Sequence, residues 1–110
     1  MPLHETDIGT IETAQWGEGR ERIVLLHCAG AGPGSLTTLA TSLASSGRML
    51  IAPALNKYGS TRVTGADPIQ EHVDVAAWVV NHYADDASSV SLFGHSMGGL
   101  IALGYGLRNQ

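Results

Sequence analysis

The sequence predicts an α/β fold built on a mostly parallel sheet with flanking helices and an N-terminal antiparallel hairpin, and three observations carry that reading. Two continuous apolar runs, Ile23-Val24-Leu25-Leu26 and Met49-Leu50-Ile51-Ala52, have the composition of strands covered on both faces. The segments after each run have helical spacing, so strand and helix alternate as in a crossover-connected parallel sheet. A third, more mixed strand, Val90-Ser91-Leu92-Phe93, leads through a glycine-flanked serine into the helix-like stretch Gly99-Leu100-Ile101-Ala102-Leu103.

The elements follow in chain order. Ile11 to Trp16 alternates apolar and polar residues and, with the residues around Ile8, predicts an antiparallel edge hairpin before the turn Gly17-Glu18-Gly19. After the first buried strand, Leu36, Leu39, Ala40, Leu43 and Ala44 predict a helix over Ser35 to Ser46, with Gly47 as a left-handed stop. The second buried strand leads to a loop, Ala54 to Ala66, at the end of a parallel strand where ligand sites of open sheets tend to lie. Asp67-Pro68-Ile69-Gln70 then reads as an N-cap, a proline at the first helical position and a polar third residue. Ile69, Val73, Ala76, Val80 and Tyr83 form the apolar face of that helix.

Composition narrows the function. At 110 residues the chain makes at most one domain. A net charge of −4, with six Lys and Arg and no basic cluster, argues against nucleic acid or an anionic membrane as partner. A small molecule is the expected ligand. The single cysteine, Cys28, cannot form an internal disulfide, and Met1 to Asp7 lacks a signal-peptide pattern, so a cytoplasmic location is expected. No apolar run reaches the roughly 20 residues a membrane span needs. His4, His72 and His82 read as surface or helix-face residues, and their spacing to the acidic residues suggests no metal site.

The chemistry points to Ser96 in Gly94-His95-Ser96-Met97-Gly98. A serine hydroxyl is a poor nucleophile at neutral pH and needs an exposed, fixed position, a base for its proton and N–H groups for the oxyanion. A strand–turn–helix elbow supplies the position, and glycines two residues on either side let strand and helix approach. The helix N-terminus adds free N–H groups and a favourable dipole. The bland alternative is a glycine-rich turn whose serine caps the helix.

Gly94-His95-Ser96-Met97-Gly98-Gly99, with Leu25-Leu26-His27-Cys28-Ala29-Gly30 at the end of the earlier strand, resembles the α/β-hydrolase family over essentially the whole chain. The resemblance implies Ser96 as nucleophile, Ala29 and Met97 as oxyanion-hole donors with Cys28 the alternative to Ala29, and His27 as a structural residue. It implies an acyl substrate and no metal or organic cofactor. In that family the triad acid and histidine follow the nucleophile helix, so residues 1–110 are expected to be the N-terminal part of a single hydrolase domain, truncated after that helix. Such a piece would expose a sheet edge able to self-associate. The expected activity is serine-dependent hydrolysis of an ester or thioester.

Two other readings compete. Gly30-Ala31-Gly32-Pro33-Gly34-Ser35 follows a strand as a nucleotide-binding turn would, but Ser35 stands at the third fingerprint position, no lysine follows, and the next strand ends without an acidic residue. A catalytically silent member of the fold that binds a ligand or partner is the alternative outside enzymes.

Overall fold

A computed structural model describes residues 2–65 and 67–109. Met1 and Gln110 lie outside the described residues, as does Ala66 at the end of the expected loop. The chain runs β1 (Leu3–Thr6), β2 (Gly9–Glu18), β3 (Glu21–Leu26), a 3-10 turn (Pro33–Leu36), α1 (Thr37–Leu43), β4 (Arg48–Pro53), β5 (Arg62–Val63), α2 (Pro68–Ala84), β6 (Ser89–Gly94) and α3 (Met97–Arg108). The sheet order is β1-β2-β4-β3-β6, with β5 also paired to β2.

The sheet is mixed. β4, β3 and β6 are parallel, and they are the three strands expected from the apolar runs. β2 pairs antiparallel with β1, β4 and β5, so the antiparallel part extends beyond the expected hairpin. The reason is the length of β2: at ten residues it spans both the β1 ladder and the β4 ladder.

The uninterrupted apolar runs follow from coverage on both faces. Val24 and Leu26 of β3 and Ile51 of β4 pack with Val73, Ala76 and Val79 of α2 and Ile101 of α3. Leu25, Leu50 and Ala52 point the other way, onto Leu36 and Ala40. Successive strand residues alternate faces, so a strand covered twice must be apolar throughout.

The α2 cap forms as expected, Gln70 N–H donating to Asp67 Oδ1 at 2.9 Å with Pro68 next. Val73, Ala76 and Tyr83 are buried, whereas Ile69 in the first turn is exposed. α1 departs from expectation. Its first residues form a 3-10 turn and it ends at Leu43, where Ala44 turns extended, so Gly47 is not its stop. Gly47 instead lies in the tight Ser45–Arg48 turn that reverses the chain into β4. His4, expected at the surface, stacks into a cluster with Trp78, His82 and Tyr83 that seats β1 on α2.

On the far side, β6 is the edge strand. Phe93 is 44% exposed, and Leu100, Leu103 and Leu107 of α3 are 56%, 59% and 60% exposed. Phe93, in register with Leu25, lies on the α1 side of the sheet and the three leucines belong to α3 on the other side, so apolar surface is left uncovered on both sides of the edge.

Candidate active site

Ser96 sits between β6 and α3 at φ 58°, ψ −114°, a conformation that costs a non-glycine residue about 1–3 kcal/mol. What holds it there is close backbone packing on both sides. A Cβ at Gly94 would collide with the Gly98 carbonyl, and one at Gly98 would collide with the Leu26 carbonyl and crowd that of His27. His95 N–H donates to Leu26 O at 3.2 Å and Gly98 N–H to His95 O at 3.0 Å, which ties the elbow to the end of β3.

The helix-cap alternative does not hold, since the Ser96 side chain makes no capping hydrogen bond. Its residue is exposed, at the head of a 12-residue helix whose dipole favours negative charge. Met97, the first residue of α3, is half-buried.

The packing of Gly98 on Leu26 and His27 sets the elbow beside the loop that leaves β3. In that loop Ala29 is exposed and Cys28 half-buried. Gly30 N–H donates to the Tyr58 hydroxyl at 2.8 Å and Ala31 N–H to Cys28 O at 3.4 Å. Among the described residues, the amides of Cys28, Ala29 and Met97 make no hydrogen bond of this kind.

His27 is fully buried and both ring nitrogens are in use. Nε2 accepts from Leu55 N–H at 3.0 Å, so Nδ1 carries the proton and donates to Cys28 O at 2.9 Å. A ring held this way pins the loop and cannot serve Ser96 as a base. His72 of α2 does the same one residue further on, its Nδ1 accepting from Asn56 N–H at 3.2 Å. Neither His72 nor Tyr58 stands out in the sequence, because both act through partners 16 and 28 residues away. The one signal in the sequence is an aromatic residue in the loop after a parallel strand.

Both imidazoles must be neutral to accept these bonds. Burial holds His27 below the ordinary 6.5, with repulsion from His72 adding to it and the Cys28 hydrogen bond opposing. Burial likewise lowers His72 against the opposing charge of Glu71, and burial with nearby His82 lowers His4. The unfolded chain therefore binds these protons first as pH falls, so their stabilisation is full above about 6.5 and is lost below it. A urea midpoint that is level above neutrality and falls as the pH drops below about 6.5 is expected, with a shallower fall in His72→Gln. An unchanged midpoint across that range would contradict the neutral assignment.

Asp74 of α2 is engaged by Arg108 of α3 at 2.7 Å, and Asp85 caps α2 while Asp86 follows it at φ 60°. None of these carboxylates bonds to a histidine among the described residues. No group of three or more His, Cys, Asp or Glu side chains able to hold a metal occurs among the described residues. No helix among them is long and apolar enough to cross a membrane.

The profile of one family, described as "Thioesterase domain", matches residues 21–108. The chain belongs to the thioesterase-domain family. The match runs from the start of β3 through α3, so it takes in both the loop at His27 and the elbow at Ser96.

Solved structures agree on the α/β-hydrolase fold of this thioesterase-family chain. It superposes on the thioesterase domain from the curacin biosynthetic pathway with a TM-score of 0.81 at 20% identity, over 94% of this chain and 39% of that one. An esterase from Exiguobacterium antarcticum gives 0.79 at 27% identity, over 96% and 39%. An epoxide hydrolase from Vigna radiata gives 0.80 at 23% identity, over 96% and 34%. The chain thus spans between a third and two-fifths of the length of these structures. No curated protein matches it significantly.

Proposed function

We propose that these residues are the nucleophile-bearing part of a serine hydrolase that cleaves an ester or thioester. The observation that carries the reading is Ser96 at φ 58°, exposed at a turn that Gly94 and Gly98 allow by close approach to neighbouring backbone. Membership of the thioesterase-domain family supports acyl transfer as the reaction class.

In this reading a base removes the Ser96 proton as Oγ attacks the acyl carbonyl, and the Ala29 and Met97 N–H groups receive the oxyanion. Collapse expels the alcohol or thiol, which takes the proton from the base. Water then attacks the acyl-serine, releases the carboxylic acid and restores Ser96. Among the described residues no histidine bonds to Ser96, so the base and its acid partner would come from the rest of the domain.

Two facts support a larger domain: the span relative to the solved structures, and the uncovered apolar surface left by Phe93 on one side of the β6 edge and by Leu100, Leu103 and Leu107 on the other. Further sheet and helix would cover that surface, and two copies of these residues alone would pair through the β6 edge.

Stopped-flow mixing of the full-length protein with p-nitrophenyl acetate tests the reading. A p-nitrophenol burst approaching one equivalent per site, then a slower steady state, is expected of an acyl-serine intermediate. Ligand binding with neither burst nor turnover would instead make this a silent module of the same fold.

A further inference from the structure

The loop after β4 reaches across to the loop after β3. Tyr58 accepts the Gly30 N–H at 2.8 Å, and its ring packs edge-on against His27 with centroids 4.7 Å apart at 68°. Tyr58 itself is held on a closed turn. Its N–H donates to Leu55 O at 2.9 Å, Thr61 N–H donates to Tyr58 O at 3.0 Å, and Lys57 N–H to Thr61 O at 3.0 Å. The same turn is fastened at both ends, by Leu55 N–H on His27 and by Ser60 N–H on Glu12 at 2.9 Å.

In the loop that Tyr58 grips, Cys28 O is held by His27 Nδ1–H and by Ala31 N–H, which fixes the Cys28–Ala29 peptide, while the next peptide, Ala29–Gly30, is held through its Gly30 N–H on Tyr58. Positions 30, 32 and 34 are glycines with open space where a Cβ would stand, and Ala29, Gly30 and Ala31 are all exposed. Gly30 and Gly32 take φ 79° and 74°, so the backbone there is freer than in any other residue type. The Gly30 amide bond is therefore the contact that fixes the Ala29–Gly30 peptide, on the other side of Ala29 from the peptide that His27 holds. β4, β3 and β6 are neighbouring parallel strands, so Tyr58, Ala29 and Ser96 all follow their C-terminal ends.

We propose that Tyr58 is a positioning residue for the oxyanion hole: by accepting the Gly30 N–H it fixes the loop so that the Ala29 N–H faces the acyl carbonyl at Ser96. The inference rests on the Ser96 reading above. A pre-oriented donor stabilises the transition state without reorganising during the reaction, and a displacement of about 1 Å costs up to roughly 100-fold in rate. Tyr58 thus acts on kcat through Ala29 and touches no substrate.

Tyr58→Phe in the full-length protein keeps the ring on His27 and removes only the accepting oxygen. With p-nitrophenyl acetate, kcat is expected to fall between about 10- and 100-fold while KM stays within about twofold. Inhibition by phenylboronic acid, which forms a tetrahedral adduct on an active serine, should weaken by a similar factor, and binding of the acetate product should not change. The Gly30 amide should lose its protection from hydrogen exchange. A kcat within twofold of wild type, equal losses in kcat and KM, or an unchanged Gly30 exchange rate would overturn the proposal. Wild-type protein with no turnover and no boronate adduct would bring down the Ser96 reading and this role with it, whereas an active wild type with a silent Tyr58→Phe effect removes this role alone.

Discussion

Ser96→Ala in the full-length protein is expected to lower kcat toward an acyl ester by on the order of 10⁵- to 10⁶-fold, with KM nearly unchanged. The hydroxyl is the only group lost, and binding of the acyl chain does not depend on it. Alanine at φ 58° meets the same backbone contacts as serine, so stability should move by less than about 1 kcal/mol. Ser96→Gly separates geometry from chemistry. It is expected to be equally inactive but more stable by about 1 kcal/mol, because glycine relieves the strained conformation. Paired kinetics and urea denaturation check both claims, and residual activity within 100-fold of wild type in either variant would place the nucleophile elsewhere.

Gly98→Ala is expected to destabilise by about 3 kcal/mol or more and to remove activity with it. A Cβ at this position meets the Leu26 carbonyl, which is backbone of β3, an interior strand paired on both sides, and cannot swing aside. Relief would need α3 to lift away from the sheet, carrying Met97 N–H from its place. Gly106→Ala is the matched control. It lies in the same helix with open space around its Cβ position, so there the change should stabilise by about 0.5–1 kcal/mol through helix propensity alone. Opposite signs for one substitution at two glycines of one helix would tie the effect at Gly98 to the elbow. Similar effects at both would show that close approach to Leu26 is not what fixes Ser96.

Much of this was legible in the sequence because the signals are local. The runs at Ile23 and Met49 could be read as buried strands because packing on both faces requires continuous apolar residues. The start of α2 could be read from Asp67 and Pro68, which act within one turn. The elbow could be read because Gly94, Ser96 and Gly98 answer steric demands two residues apart. What escaped is non-local. β5 exists because Asn56 Oδ1 takes the Val63 N–H at 2.9 Å and Thr61 Oγ1 takes the Glu12 N–H at 3.0 Å, ties that no periodicity encodes. α1 ends at Leu43 because the chain must turn at Ser45 to enter β4, which overrides the apolar spacing of Ala44. The grip of Tyr58 on Gly30 and of His72 on Asn56 likewise depends on which loops the sheet order brings together.

The measurement that tests the central claim most directly is intact-mass analysis of the full-length protein after treatment with a fluorophosphonate, followed by peptide mapping. A single phosphonyl adduct on Ser96, absent from Ser96→Ala and blocked by prior acylation, is the result predicted for an activated serine nucleophile. Full-length folded protein that takes no adduct, or takes it on another serine, would contradict it.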